Sequence, residues 1–351
     1  MKKIVFVSPF HQNEEHSVFE ASIIKLYYLK YPDCNFLYLG QSVHFSSIKQ
    51  LLPKWVFIRP ETSDTKNRIA LFFLCLFRSY FCSQSTIIYL SLDLHYLYFF
   101  SVFWPKISTI FMHRYPRDWK NFFVIMINLF LLKFFLFFQR SAQVFLLWEW
   151  IYSNIINDKS LLEKEKEKFH WINHPFLVEL KKFSPTLLHP KICFWFIGRQ
   201  QVSYKKIATS DLFDIQSFIL KSGGNLILTG ENFITQDKYF QTINDVDYMV
   251  FIFDPMSYMY RCSGIFIEAI MFEKPIICLS NWISDYFFQK LGNIGYKCPN
   301  IQELKKIVFR INTMWKNTNE YNEQKENIRL SKYLFSDPDL FLSRLFSTQD
   351  H

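Results

Sequence analysis

Short apolar runs alternate with amphipathic stretches along the chain, most regularly in its second half. Strand-like runs lie at Ile192–Ile197, Asn225–Thr229, Tyr248–Phe253, Pro275–Leu279 and Gly295–Cys298. Between them, apolar positions at helical spacing cover Lys205–Lys221, Gly264–Phe272, Trp282–Leu291 and Ile301–Trp315. This alternation predicts a mostly parallel sheet covered on both faces. The first half is similar but less regular. Strands fit Lys3–Ser8, Asn35–Leu39, Lys54–Ile58, Thr86–Leu90, Ser108–His113, Val144–Trp148 and Phe169–Asn173, and a helix fits Glu14–Leu29. A second α/β domain is the economical reading. The boundary falls in HPFLVELKKFSPTLLHPK, where Pro175, Pro185 and Pro190 interrupt the periodicity. LEKEKEKF just before it reads as a solvated helix end.

One segment departs from this pattern. Phe122–Phe138 is apolar over 17 residues, short of the roughly 20 that a membrane helix needs. Lys133 near its middle costs roughly 2.5–3.5 kcal/mol on insertion scales. Asn121, Asn128 and Gln139 fall near one helical face, which predicts a peripheral or core helix in place of a spanning one. Arg114, Arg117, Lys120 and Arg140 flank it and suit a helix resting on anionic lipid. ALFFLCLF, Ala70 to Phe77, extends that apolar face or joins the core.

Composition changes the picture little. The chain has 351 residues, half of them hydrophobic, enough for two domains with substantial cores. Its 41 Phe and only 8 Gly fit AT-rich codon usage, so aromatic content alone does not mark a membrane protein. The start, MKKIVFVSPF, breaks at Ser8-Pro9, too early for a secretory h-region, and a cytosolic location is expected. Seven cysteines without a C-x-x-C pair read as reduced thiols, neither a disulfide frame nor a zinc site. The formal charge of +9 favours anionic partners such as phosphates, nucleic acid or acidic lipid, or simply keeps an apolar chain in solution.

The chemistry concentrates in YRCSGIFIEAIMFEKPIICLS, Tyr260 to Ser280. In an open parallel sheet, ligands sit at the carboxyl ends of strands, where helix N-termini point. Ser263-Gly264 opens a helix at such an end, and its exposed amides suit a diphosphate. Gly264 permits close approach because it has no Cβ. Glu268 lies one turn further on the same side, where a carboxylate accepts two hydroxyl hydrogen bonds, as a ribose offers. Spacing alone also fits a surface Glu268 and an ordinary Ser263 N-cap. A second element, FIGRQQVSYKK, ends its strand at Gly198 and presents Arg199, then Lys205 and Lys206. Cations at that edge neutralise a diphosphate leaving group.

These elements resemble those of retaining glycosyltransferases of the GT-B fold, the large family 4-like group common in bacterial surface-polysaccharide synthesis. FIGRQQVSYKK resembles the "GR…KG" element and YRCSGIFIEAIMFEKPII the "SG…EA…GKP" element; LILTGENF and WINHPF match a strand–loop and a domain-closing segment. Coverage is good from about Ile172 to Cys298 and thin before it. The resemblance implies an α/β GT-B architecture, two Rossmann-like domains facing across a cleft. Residues 1–175 would bind acceptor, 176–190 would link, 191–332 would bind the nucleotide-sugar, and a helix within 333–351 would pack back on the first domain.

By the same resemblance Arg199, Lys205, Ser263 and Gly264 bind the donor diphosphate, with Lys206 a rival to Lys205. Glu268 binds the ribose, and Gly198, Gly230 and Tyr260 line the donor pocket. His113, at the end of FMHRY, resembles the active-site histidine facing the donor sugar, and also reads as an ordinary strand-end histidine. Glu14, Glu15 and His16 are acceptor-side candidates, while His174 reads as a linker histidine. The pattern also departs: Tyr260 replaces a glutamate, Glu273 replaces the glycine of "GKP", and the first loop lacks a glycine pair.

Asp245-Val246-Asp247 resembles a metal motif of a different transferase fold, but it precedes its strand and so lies at the amino edge. No cofactor and no essential metal are expected. The implied partners are a nucleotide diphosphate-sugar donor, a saccharide or polyprenyl diphosphate-linked acceptor and an anionic membrane surface at the inner face of the cytoplasmic membrane, with no nucleic acid. Retention would follow from same-face attack. A GT-B nucleotide-sugar epimerase and an inactive membrane-associated scaffold are the alternatives.

Overall fold

A computed structural model of the chain describes residues 2–9, 11, 16–82, 85–90, 108–112, 122–139, 141–178, 192–197, 209–221, 225–228, 235–253, 259, 263–313 and 318–346. The chain divides into two compact units. One holds Met1–Glu179 and Leu334–His351, the other Leu180–Met259 and Ser263–Tyr333.

The first unit is built on a parallel seven-stranded sheet: β1 Lys3–Val7, β2 Asn35–Gln41, β3 Arg59–Ser63, β4 Thr86–Tyr89, β5 Thr109–Met112, β6 Gln143–Leu147 and β7 Phe169–Ile172. Their spatial order is β3-β2-β1-β4-β5-β6-β7. Central β1 is apolar without alternation, Ile4 to Val7, and all four side chains are buried because both faces are covered. Its helices are α1 Ser17–Lys30, α2 Ser42–Leu51, α3 Arg68–Tyr80, α4 Phe122–Phe138, α5 Glu149–Ile156 and α6 Glu163–Lys166. Asn67 caps α3 by accepting from the amides of Ile69 and Ala70.

The Lys54–Ile58 segment is not a strand; the edge strand is β3, whose sequence RPETS is polar. An edge strand needs apolar residues least, and Pro60 is tolerated there because one side of its ladder is open. Leu52, Val56 and Ile58 instead bury their side chains from a turn, with the Val56 amide donating to the Pro53 carbonyl. Helix α4 buries Asn128, Leu129, Leu132, Phe135 and Leu136 along one stripe and exposes Phe123, Met126, Ile127, Phe130, Phe137 and Phe138. Gln139 is buried with the stripe, whereas Asn121 and the flanking Arg114, Arg117, Lys120 and Arg140 lie outside the described residues. Among the described residues, no helix is long and apolar enough to cross a membrane.

The chain end completes this unit. The single helix expected within 333–351 is interrupted into α13 Tyr333–Ser336 and α14 Pro338–Phe346. Pro338 begins α14, where its missing N–H costs nothing, and the Asp337 carboxylate accepts from the Asp339 amide. The Phe335 carbonyl accepts from the Phe176 amide at 2.7 Å, Phe346 packs on Tyr27, and the Arg344 guanidinium lies 3.9 Å over Trp171. The Phe346 contact covers the C-terminal part of α1 at Tyr27.

The second unit has β8 Cys193–Ile197, β9 Asn225–Leu228, β10 Tyr248–Phe251, β11 Ile276–Leu279 and β12 Gly295–Cys298, all parallel, in the order β12-β11-β10-β8-β9. Its helices are α7 Thr209–Lys221, α8 Gln236–Asp245, α9 Gly264–Met271, α10 Trp282–Leu291, α11 Ile301–Asn312 and α12 Asn319–Ser331. Ile215 and Ile219 of α7, and Leu304, Val308 and Ile311 of α11, share one core with Phe194, Val250 and Ile277. The sequence-predicted span Lys205–Lys221 is described from Thr209 onward.

Two backbone positions carry conformational information. Glu273, standing where the resembled family has glycine, follows α9 with φ +56. A glycine is preferred at that left-handed helix end; here Lys332 holds the Glu273 carboxylate at 2.9 Å. Gly295 has φ +146, and a Cβ there would lie 1.9 Å from the Ile276 carbonyl oxygen. Gly295→Ala is therefore expected to destabilise the protein by at least ~3 kcal/mol, visible as a lower urea midpoint; an unchanged midpoint would contradict this packing of β12 on β11.

Candidate functional site

In the second unit β8 lies between β9 and β10, so the connections from β8 diverge at the β8–β10 pair. Crevices at such a divergence, outside the carboxyl ends of the strands, are where open α/β sheets bind ligands. The register sets Ile197, the last residue of β8, opposite Phe251, the last of β10. The carboxyl ends of β8 and β10 therefore lie at one edge. Gly198, Arg199, Lys205 and Lys206 follow β8 but lie outside the described residues, as do Gly230 and Tyr260.

Ser263, Gly264 and Glu268 are described. Ser263 is buried and extended (φ −130) immediately before α9, and its hydroxyl makes no capping bond to the helix. Helix α9 is apolar elsewhere: Phe266, Ile267, Ala269 and Ile270 are fully buried. Glu268 is thus a carboxylate in an apolar segment, partly buried. Its Oε2 accepts a 2.5 Å hydrogen bond from the Tyr239 hydroxyl of α8. The Tyr239 ring meets Trp195 of β8 edge-on at 5.4 Å, so one aromatic contact ties the carboxylate to the central strand. Burial raises the Glu268 pKa to about 7, although the Tyr239 hydrogen bond opposes the shift. Burial and the neighbouring Glu268 charge push the Tyr239 phenol well above its ordinary range, so it remains a donor. Sequence reasoning missed Tyr239 because α8 shows only Phe240 and Ile243 as buried apolar positions.

Asp247 lies at the opposite edge, where its carboxylate accepts from the Cys193 amide at 2.7 Å and anchors the start of β8.

The first unit carries a second group, at the carboxyl ends of β1 and β2. Glu20, on α1, is completely buried. Its Oε1 accepts from the Ser8 hydroxyl at 2.6 Å and lies 2.5 Å from His11 Nδ1. Its Oε2 lies 3.1 Å from His44 Nε2 and accepts from the Tyr38 hydroxyl at 3.3 Å. Burial would raise the Glu20 pKa, but the His44 charge and the His11 hydrogen bond outweigh it and hold the carboxyl well below the usual range. His16, an exposed acceptor-side candidate, stands at the N-cap position of α1 with φ +57, makes no side-chain capping bond, and stacks on His11 at 4.5 Å. Glu14 and Glu15 lie outside the described residues, and so does His113 after β5. Sequence reasoning missed Glu20, His11 and His44. The available signal was a lone carboxylate inside the apolar run of α1, which needs buried partners.

His174 is a buried residue whose ring packs on Phe19 at 4.9 Å, more enclosed than a linker position suggests; burial lowers its pKa to about 4.

No protein-family model and no curated protein matches the chain. Solved structures match along its length. Anabaena Alr3699/HepE in complex with UDP aligns at TM-score 0.62 and 13% identity, covering 100% of both chains. The S. aureus TarM G117R mutant, in complex with fondaparinux, alpha-GlcNAc-glycerol and UDP, aligns at 0.62 and 12%, again over 100% of both. The UDP-GlcNAc 2-epimerase from Methanocaldococcus jannaschii aligns at 0.52 and 11%, over 95% of this chain and 99% of that one. The fold is therefore GT-B, with two Rossmann-like α/β units.

The geometry at Glu268 predicts a carboxyl that titrates near pH 7 in a carbon-13 NMR titration, against about 4.3 for a free side chain. Tyr239→Phe removes the hydrogen bond that favours the charged form, so the midpoint should move higher still. A wild-type midpoint below pH 5, or a downward shift in the variant, would refute this local geometry.

Proposed function

We propose that the chain is a glycosyltransferase that moves a sugar from a nucleotide diphosphate donor to a saccharide or lipid-linked oligosaccharide acceptor. The observation carrying this reading is the Ser263–Gly264–Glu268 turn on α9 at the strand-divergence edge of a GT-B fold. HepE, of like fold, was solved with UDP and with UDP-glucose. In this reading the first-turn amides of α9 bind the donor diphosphate, and Glu268 accepts hydrogen bonds from the ribose hydroxyls. Arg199 and Lys205 neutralise the leaving diphosphate, so the donor chemistry needs no essential divalent ion. Gly198, Gly230 and Tyr260 complete the donor pocket, His113 faces the donor sugar, and transfer proceeds with retention by same-face attack. Glu14 and His16 belong to the acceptor side. The product serves cell-surface polysaccharide synthesis of the capsule or O-antigen type.

The likeness to the 2-epimerase supports a second reading, in which the same nucleotide element serves nucleotide-sugar epimerisation. Incubation with a radiolabelled nucleotide-sugar and a membrane lipid extract separates the two. Label in lipid or saccharide with release of nucleoside diphosphate supports transfer; an epimerised donor without acceptor labelling overturns it. A scaffold would give neither.

Nucleotide binding has a pH signature. Only the ionised Glu268 carboxylate accepts both ribose hydroxyls, so UDP affinity should rise between pH 6 and pH 8. Glu268→Gln should flatten that rise, and Glu268→Ala should weaken binding on the order of 10–100-fold. A UDP concentration near 100 times Kd should stabilise the wild type by about 2.7 kcal/mol in a thermal melt. Failure of every nucleoside diphosphate to raise the Tm would overturn the reading.

We further propose a peripheral position on the inner face of the cytoplasmic membrane. Its support is the exposed face of α4 together with exposed Phe73, Phe77 and Phe81 in and after α3. The protein should co-sediment with anionic vesicles, and Phe130→Asp with Phe137→Asp should reduce this at least ~10-fold while leaving the Tm unchanged. Equal sedimentation of both proteins would contradict the assignment.

A further inference from the structure

We propose that His11, Glu20 and His44 form a binding site for a divalent transition-metal ion of the Zn2+ class, at the carboxyl ends of β1 and β2. The inference does not depend on the glycosyl-transfer reading, because it concerns the first unit alone and gives the ion no role at the donor diphosphate.

Two imidazole nitrogens and a carboxylate oxygen, one from each residue, lie within 4.8 Å of one another, and all three residues are buried. A Zn2+ ion about 2.1 Å from each ligand would hold them roughly 3.4 Å apart in a tetrahedron. The Glu20–His11 and Glu20–His44 distances are 2.5 and 3.1 Å. These two contacts use different carboxylate oxygens, Oε1 and Oε2, so side-chain rotations must bring one oxygen and both nitrogens, now within 4.8 Å of one another, to the metal-bound spacing. The three ligands come from separate segments: the loop after β1, helix α1 and helix α2. An ion would cross-link them and leave the fourth tetrahedral position for water or an exogenous oxygen.

Three features argue for an ion over a proton alone. The ligand chemistry selects for it: imidazole with carboxylate suits Zn2+, whereas Mg2+ prefers oxygen throughout. The carboxylate also has an outer shell, with Ser8 on Oε1 and Tyr38 on Oε2, of the kind that orients a ligating group. Finally, there is a route inward. His11 retains 7% exposure and stacks on exposed His16, so the cluster approaches solvent on that side.

The test uses the full-length protein, stripped with chelator and dialysed, then titrated with Zn2+ against a chromophoric chelator. One equivalent should bind. Loss should be at least ~100-fold in His11→Ala and His44→Ala, about 10-fold in Ser8→Ala, and negligible in His16→Ala. Wild-type protein loaded with Co2+ should show intense visible bands of a four-coordinate site, a readout that stands even if the His44 variant does not fold. Absence of Zn2+ binding, only the pale bands of six-coordinate Co2+, or retention of full affinity in His11→Ala would overturn the proposal.

Discussion

The parallel pairing of β8 with β10 is the constraint on which the rest of the second unit depends. Because the strands run the same way, every carboxyl end falls on one edge, and each following helix presents its N-terminus there. With β9 on the far side of β8, that pair also becomes the point where connections diverge. The register of Ile197 opposite Phe251 then sets the carboxyl ends of β8 and β10 level with each other at that edge.

The same logic explains why a carboxylate is tolerated in α9. Glu268 stands in a helix whose neighbours are buried, so its ionised form lacks solvation, and the Tyr239 hydroxyl compensates only in part. A group held near neutrality of charge in this way gains on binding a ligand that donates hydrogen bonds. Glu20 shows the opposite balance. It is more deeply buried, yet four polar groups surround its two oxygens and keep it ionised. Two buried carboxylates thus differ in protonation because of their partners, not their depth.

Much of this architecture was legible in the sequence. Trp282–Leu291 and Gly295–Cys298 have the predicted bounds, since Asn281 and Gly292 mark the helix ends and Gly295 the strand start. Apolar patterning failed where burial is slight. Strand β3 is polar because it is an edge, and α8 buries few residues, so the partner of Glu268 went unseen. The Glu20 cluster was hidden for a different reason: its members are far apart in sequence, and pattern alone does not report long-range polar pairing. The left-handed Glu273 shows that a departure from the resembled family's glycine can leave the backbone turn in place.

The most direct test of the central claim is a crystal structure of the protein with UDP bound. The ribose hydroxyls should lie within hydrogen-bond distance of the Glu268 carboxylate, and the diphosphate at the Ser263-Gly264 turn. UDP bound at any other surface, with Glu268 still bonded only to Tyr239, would contradict it.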